Sequence, residues 1–323
     1  MIAGRKLLCL ALVVVLQPHI TRHAAAQTEG QGPPPEVVTL ATKDGVQLRA
    51  TYFPAAARKD SPQAKQVTPV VLLHDFKSSR SVLTQLALKL QAPAEAGADH
   101  PLFAVVTVDL RAHGDSTKLL SPDGTQADLD ASKLAKEGLL SMASLDMEAV
   151  RNFLVEKNDA GELNLNKLCL IGSGMGGSVA ANWALQDWTA PPLAVGKQGQ
   201  DVKAIVLISP RWSYMGLSMQ VPMKFGPLKQ NVAWLLMCGG QDAKVKTDLE
   251  RIEKLLEKSH PTTDRGGTTH RVGLQVVELP SSLQGDKLFN KYSQSIDDQA
   301  MAFLSENIAA KQQPWTNRRN RLP

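Results

Sequence analysis

The sequence predicts an α/β fold with an eight-stranded, mostly parallel sheet and helices on both faces. Apolar, β-rich segments alternate with amphipathic helical segments along the 323 residues, which is the pattern of strands joined by helical crossovers. Several segments, such as residues 68–74, are almost continuously apolar, as expected of strands covered on both faces. The alternation continues without an internal repeat, so we expect a single domain at residues 36–310.

An antiparallel hairpin is predicted to open the sheet. Residues 36–43 and 46–53 alternate in polarity, and Asp44-Gly45 between them is a strong hairpin signal. The other strands are predicted at residues 68–74, 102–110, 168–171, 202–208, 233–238 and 272–279. Helices are predicted at residues 79–96, 141–155, 178–188, 247–258 and 296–310, where apolar residues recur at helical spacing.

Both ends of the chain differ from this domain. Arg5 and Lys6, the apolar residues 7–16 and the alanines before Gln27 match a secretory signal peptide at residues 1–26. The apolar run is about half as long as a membrane span, which takes roughly 20 residues. We therefore expect a secreted or periplasmic protein with no stable membrane span after the signal is removed; an uncleaved N-terminal anchor is the alternative. Residues 27–35 are expected to form a flexible leader, and residues 311–323 a loose tail.

Composition argues against several classes of function. Without residues 1–26 the chain has 33 basic and 31 acidic residues, and no basic cluster of the kind that binds nucleic acid. Metal-ligand spacing and a phosphate loop are also missing, so neither a metal nor a cofactor is expected. Cys169 and Cys238 lie in predicted strands, where buried free thiols are expected.

A strand, a sharp turn and a helix are predicted around Gly174. The apolar residues 168–171 lead into the small residues 172–177, and helix-forming residues follow. The spacing of Gly172 and Gly176 is that of a nucleophile elbow, G-x-S-x-G, in which the turn lifts a serine hydroxyl above the sheet. Gly174 occupies the apex here. A serine in this turn is held in strained backbone geometry, so glycine relieves strain while the turn survives.

Three further motifs follow predicted strands. They are His74-Asp75-Phe76 after the third, Asp109-Leu110-Arg111-Ala112-His113-Gly114-Asp115-Ser116 after the fourth, and Gly239-Gly240-Gln241-Asp242 after the seventh. Together with an elbow after the fifth strand, these motifs resemble the α/β-hydrolase superfamily of serine hydrolases, over roughly residues 36–310. Ala112 stands where that family usually has glycine. The resemblance implies a cleft lined by the oxyanion loop, Met175 and His113.

The resemblance also implies a catalytic triad in the chain order serine, acid, histidine. Gly174 stands at the first position and Asp242 at the second, as a retained triad acid. Gln284, in the loop after the eighth strand, is assigned to the third position, because residues 271–323 contain no histidine. An amide cannot act as a base near neutral pH, so we expect the nucleophile and the base to be missing.

The oxyanion loop departs from the family as well. Asp75 replaces a glycine that lets the backbone approach the substrate, and its charge would oppose a developing oxyanion. Asp75 could equally be a turn residue that bonds its own backbone. His74 and His113 are expected at the strand ends, where such residues more often hold loop geometry than transfer protons.

Other nucleophiles, other histidines and another fold were considered. Ser173 and Ser178 flank the apex, but we expect both to serve close packing. His260 and His270 bracket a predicted polar loop at residues 262–269, at the opposite end of the sheet, where solvated side chains are expected. A dinucleotide-binding G-x-G-x-x-G turn at residues 172–177 is disfavoured, because residues 189–200 do not lead into an acidic strand end.

A minimal lid is predicted at residues 209–231. Met215, Met219 and Met223 would give it a soft apolar surface, suited to an acyl or aromatic ligand. Packing of the same side chains into the core is the alternative.

Three hypotheses of function follow. The first is an exported, non-catalytic pseudo-hydrolase that binds a small apolar or acyl ligand, or a protein partner, in its cleft. The second is an active esterase or peptidase that uses an unconventional nucleophile or a water positioned by Asp242. The third is a structural or interaction protein whose cleft has collapsed.

Overall fold

All eight predicted strands form one sheet in a computed structural model that describes residues 32–92, 101–191, 193, 196–265 and 268–318. In chain order, the strands of these residues are β1 (Glu36–Ala41), β2 (Val46–Phe53), β3 (Thr68–Leu73), β4 (Phe103–Val108), β5 (Lys118–Leu120), β6 (Gln126–Asp128), β7 (Leu168–Ser173), β8 (Val202–Ile208), β9 (Ser213–Tyr214), β10 (Leu217–Ser218), β11 (Ala233–Gly239), β12 (Thr262–Arg265), β13 (Thr268–Arg271) and β14 (Leu274–Leu279). The predicted N-terminal signal segment and most of the leader lie outside the described residues.

The sheet is mostly parallel, as predicted. Its parallel part has the order β14-β11-β8-β7-β3-β4. The predicted hairpin of β1 and β2 adds to this edge, where β2 runs antiparallel to β4. Since the parallel strands all point the same way, the loops that follow them meet along one edge, which is where ligands bind in such sheets.

Helices cover both faces of the sheet. They are α1 (Thr84–Gln91), α2 (Lys136–Ser141), α3 (Met147–Asp159), α4 (Met175–Thr189), α5 (Gln220–Lys224), α6 (Gly226–Asn231), α7 (Ala243–Leu256), α8 (Gly285–Lys291) and α9 (Ser293–Leu304). Alternate residues of β3 face opposite layers: Val71 and Leu73 belong to the core layer that includes residues of α3, α4 and α7, and Val70 and Leu72 to the layer that includes residues of α1 and α9. This alternation explains why the buried strands are apolar on both faces. Of the described helices, none is long and apolar enough to cross a membrane.

Two expectations of irregular structure are wrong. The polar segment at residues 262–269 contains the hairpin strands β12 and β13, which extend the sheet beyond β14. Its two threonine-rich runs, separated by glycines, are themselves a hairpin signal. The C-terminal segment is not loose as far as residue 318, because the carbonyl oxygens of Gln313 and Pro314 accept hydrogen bonds from Asn164 and Asn166.

The two cysteines of the described residues are free and buried. Cys169 lies on β7 and Cys238 on β11, and β8 runs between those strands. The intervening strand keeps the thiols from pairing within the sheet, as the sequence predicted.

The close approach of α4 to β3 gives a test of the fold. A Cβ on Gly176 would lie 2.5 Å from the Leu73 carbonyl oxygen and 2.7 Å from that of His74. We expect Gly176→Ala to lower the free energy of unfolding by about 1–3 kcal/mol, because backbone atoms must move apart. Urea unfolding measures the change.

Gly226→Ala is the matched control, because a Cβ on Gly226 would meet nothing within 4 Å. We expect it to change stability by less than about 0.5 kcal/mol. Equal effects of the two substitutions would contradict the packing account.

Candidate functional site

The turn between β7 and α4 has the geometry of the predicted elbow. Gly174 has φ 49° and ψ −110°, and α4 begins at the next residue. Its N–H group donates to the Ile208 carbonyl oxygen over 2.9 Å, which ties the apex to the end of β8. Residues other than glycine are held in such backbone regions at a cost of about 1–3 kcal/mol.

The carboxylate of Asp75 fills the space above the apex. A Cβ on Gly174 would overlap Asp75 Oδ1, and a Cβ on Gly285 would overlap Asp75 Oδ2. The two glycines therefore leave room for one carboxylate between the elbow and the loop after β14. A serine at position 174 would overlap Asp75 through its first side-chain atom.

Asp75 Oδ1 accepts two backbone hydrogen bonds. The Phe76 N–H group donates over 2.7 Å and the Met175 N–H group over 2.9 Å. In the fold that the motifs resemble, an N–H group of the loop after the third strand and that of the residue after the nucleophile form the oxyanion hole. If a hole of that kind were formed here, the Asp75 carboxylate oxygen would stand in the place of the substrate oxyanion. One of the two bonds is to its own turn, as expected if Asp75 is a turn residue.

Burial and hydrogen bonding act on the pKa of Asp75 in opposite directions. Burial raises the pKa of Asp75, the two N–H donors lower it, and the nearby charge of Asp286 raises it again, with a net increase. Asp286 is also a direct partner, because its Oδ2 accepts the Asp75 N–H group over 3.2 Å.

Asp242, at the predicted acid position, caps a helix. Its Oδ1 accepts the N–H groups of Lys244 over 3.0 Å and of Val245 over 3.1 Å, at the start of α7. Such caps stabilise a helix by about 1 kcal/mol. Helix capping accounts for Asp242 without any catalytic role.

Gln284, at the predicted base position, pairs with Gly239. Its Nε2 donates to the Gly239 carbonyl oxygen over 2.8 Å, and its Oε1 accepts the Gly239 N–H group over 3.4 Å. The amide thereby joins the loop after β14 to the end of β11. In the described part of the chain, Gln284 and Asp242 share no hydrogen bond.

The two histidines of the predicted cleft are held by backbone groups. His74 Nδ1 lies 2.7 Å from the Asp75 carbonyl oxygen, and its Nε2 accepts the Leu110 N–H group over 3.2 Å. His113 Nδ1 lies 2.9 Å from the Arg111 carbonyl oxygen. Burial lowers the pKa of both rings, so both are neutral near pH 7. These contacts favour loop geometry over proton transfer.

The remaining motif residues support the same loop. Arg111 pairs with Asp146 and Asp44, each over 2.7 Å, and Ser116 Oγ donates to the Asp109 carbonyl oxygen over 2.6 Å. Ala112 has φ 64°, in the left-handed region that glycine occupies at lower cost. This backbone conformation explains why the family usually has glycine at the position of Ala112.

Ser173 and Ser178 are 0% and 2% exposed, so neither hydroxyl is accessible to a substrate. The expected solvation of His260 is wrong: the residue is 5% exposed, and its Nδ1 lies 2.9 Å from the Val272 carbonyl oxygen. His270 is exposed on β13. Both histidines precede β14 and lie away from the elbow.

The predicted lid packs largely into the core. Met219 and Met223 are 1% and 0% exposed, whereas Met215 is 49% exposed. The Tyr214 ring lies 6.2 Å from the Phe76 ring. The part of the lid that lies next to the oxyanion loop does so through Tyr214.

Sequence reasoning missed three residues of the site: Ser209, Gly285 and Asp286. Ser209 Oγ accepts the Gly285 N–H group over 2.8 Å, which fixes the start of α8, where Asp286 lies. No local pattern marks them, because each acts on residues more than 70 positions away. Their place in the loops after β8 and β14 is the one signal the sequence offers.

A comparison with models of protein families identifies the family of this chain. The model described as "Alpha/beta hydrolase family" matches residues 70–288, more than half of the chain. The chain belongs to the alpha/beta hydrolase family. A comparison with curated protein sequences gives no match.

Solved structures of esterases share the family fold. An esterase from Pyrobaculum calidifontis is 17% identical, with a TM-score of 0.52 over 85% of this chain and 86% of the esterase. Esterase LipW from Mycobacterium marinum is 15% identical, with a TM-score of 0.52 over 85% and 82%. The carboxylesterase EstE1 from a metagenomic library is 15% identical, with a TM-score of 0.53 over 88% and 92%. At these identities the likeness shows the fold alone.

The overlap between position 174 and Asp75 gives a double-mutant test. We expect Gly174→Ala to lower the free energy of unfolding by about 2–4 kcal/mol, through backbone strain and collision with the carboxylate. In an Asp75→Gly background the collision is gone, so the same substitution should cost at least about 1 kcal/mol less. Urea unfolding of the four proteins measures the coupling. Additive effects would show that Asp75 does not occupy the apex.

Proposed function

We propose that this chain is a non-catalytic member of the alpha/beta hydrolase family that binds a ligand or a protein partner. The occupied oxyanion hole carries the proposal. A substrate carbonyl needs the N–H groups of Phe76 and Met175, and both already donate to Asp75. A negative charge fixed at that point raises the energy of an oxyanion, which is the opposite of what ester hydrolysis requires.

The other two catalytic positions support the same proposal. Gly174 has no hydroxyl, and Gln284 is bonded to Gly239 and supplies no base. Asp242 serves α7 as a cap. The family and its esterase structures make hydrolysis the rival function, which a covalent probe tests directly.

A fluorophosphonate probe, which reacts with activated serines, separates the two functions. We expect no labelling of the wild-type chain. Gly174→Ser should also stay unlabelled, because its side chain meets Asp75 and has no base beside it. The triple variant Asp75→Gly/Gly174→Ser/Gln284→His restores the hole, the nucleophile and the base, and should gain labelling. A known serine hydrolase controls for the probe.

Labelling of the wild-type chain that maps to a cleft serine by peptide mass spectrometry would overturn the proposal. Heat-denatured wild-type protein sets the background for this comparison. Labelling of the triple variant alone would support the proposal that the chain keeps the family fold but lacks serine-hydrolase activity.

We further propose that the protein is exported to the periplasm or the exterior. The charged start, the short apolar run and the alanines before Gln27 support this proposal. The full chain, expressed in a bacterial host with an export pathway, should yield a product outside the cytoplasm that begins at Gln27 by N-terminal sequencing. A membrane-bound product that begins at Met1 would favour the uncleaved anchor instead.

A further inference from the structure

The cleft next to the elbow presents a hydrogen-bond acceptor where an ester hydrolase presents donors. In an ester hydrolase the oxyanion hole presents hydrogen-bond donors to the ligand. Here both donors are directed to Asp75 Oδ1. Asp75 is partly exposed, and among the described residues its Oδ2 accepts no hydrogen bond. The cleft therefore offers an acceptor with a negative charge where the family offers donors.

Two aromatic rings stand beside this acceptor. Phe76 follows Asp75 directly, and the Tyr214 ring lies 6.2 Å from the Phe76 ring. The charge of Asp75 contributes to a raised pKa of Tyr214, about 12, whose main cause is burial, which agrees with a position close to the carboxylate. Aromatic faces attract cations through their quadrupole.

The chain itself places an ammonium group on this surface. Lys77 Nζ lies 5.6 Å from the centre of the Phe76 ring. This contact shows that the Phe76 ring can lie against an ammonium group, which in the absence of a ligand is that of Lys77. A carboxylate oxygen without a hydrogen-bond partner, next to aromatic faces, binds protonated amines in preference to neutral or acidic ligands.

We propose that the cleft binds a small primary amine, in its protonated form, with the ammonium group on Asp75 Oδ2 and an apolar substituent against Phe76 and Tyr214. The inference rests on the proposed non-catalytic function and names the class of its ligand. It replaces the acyl ligand expected from the sequence, because an acyl carboxylate would meet the charge of Asp75. Asp286 adds to the negative potential, and Arg211 opposes it.

Three probes of one shape test the proposal: benzylamine, benzyl alcohol and benzoate. Ligand-observed NMR at pH 7 on the wild-type chain should detect benzylamine with a Kd on the order of 1 mM, as expected for a ligand of this size. Benzyl alcohol should bind at least about tenfold more weakly, since it lacks the charge-assisted bond. Benzoate should show no binding at the same concentrations.

Asp75→Asn locates the binding site. Asparagine keeps an oxygen for the Phe76 and Met175 N–H groups but removes the charge, so benzylamine should lose at least about tenfold in affinity. Asp123→Asn, at an exposed carboxylate that accepts bonds from Thr125, is the matched control and should bind as the wild type does. Unfolding curves verify that both variants are folded.

Equal affinity for benzylamine and benzyl alcohol, or benzylamine binding unchanged in Asp75→Asn, would overturn the amine proposal. Absence of benzylamine binding to the wild type would overturn it as well. These outcomes are distinguishable from failure of the non-catalytic function, which would appear as fluorophosphonate labelling of the wild-type chain.

Discussion

One carboxylate connects the loops that meet at the elbow. Asp75 accepts backbone donors from its own loop and from the start of α4, and its N–H group donates to Asp286 at the start of α8. The space it occupies exists because residues 174 and 285 lack side chains. The residues at positions 75, 174 and 285 therefore depend on one another. A side chain at either glycine would have to expel the carboxylate.

The surrounding loops hold this arrangement through backbone contacts. His74 was predicted to line the cleft and Gln284 to stand at the base position, and both side chains bond main-chain groups at strand ends. Asp242 does the same at a helix terminus. These three side chains thus hold loops and a helix terminus in place. A rigid edge of this kind suits binding, where preorganised groups lower the entropic cost of association.

The strands were predictable because burial on both faces imposes a local apolar pattern, as in residues 68–74. The elbow was predictable from the spacing of its glycines. Contacts between distant loops were not: nothing near Asp75 in sequence indicates Met175 or Asp286 as its partners. The hairpin at β12 and β13 was missed because threonine-rich polar segments fit loops and edge strands alike, and tertiary pairing decides between them.

The C-terminal segment has a consequence for the order of assembly. Gln313 and Pro314 bond to Asn164 and Asn166, which precede β7, and Arg318 forms an ion pair with buried Asp201 before β8. These residues are translated after every strand they support. The N-terminal ends of β7 and β8 therefore lack these contacts on the ribosome until synthesis is nearly finished.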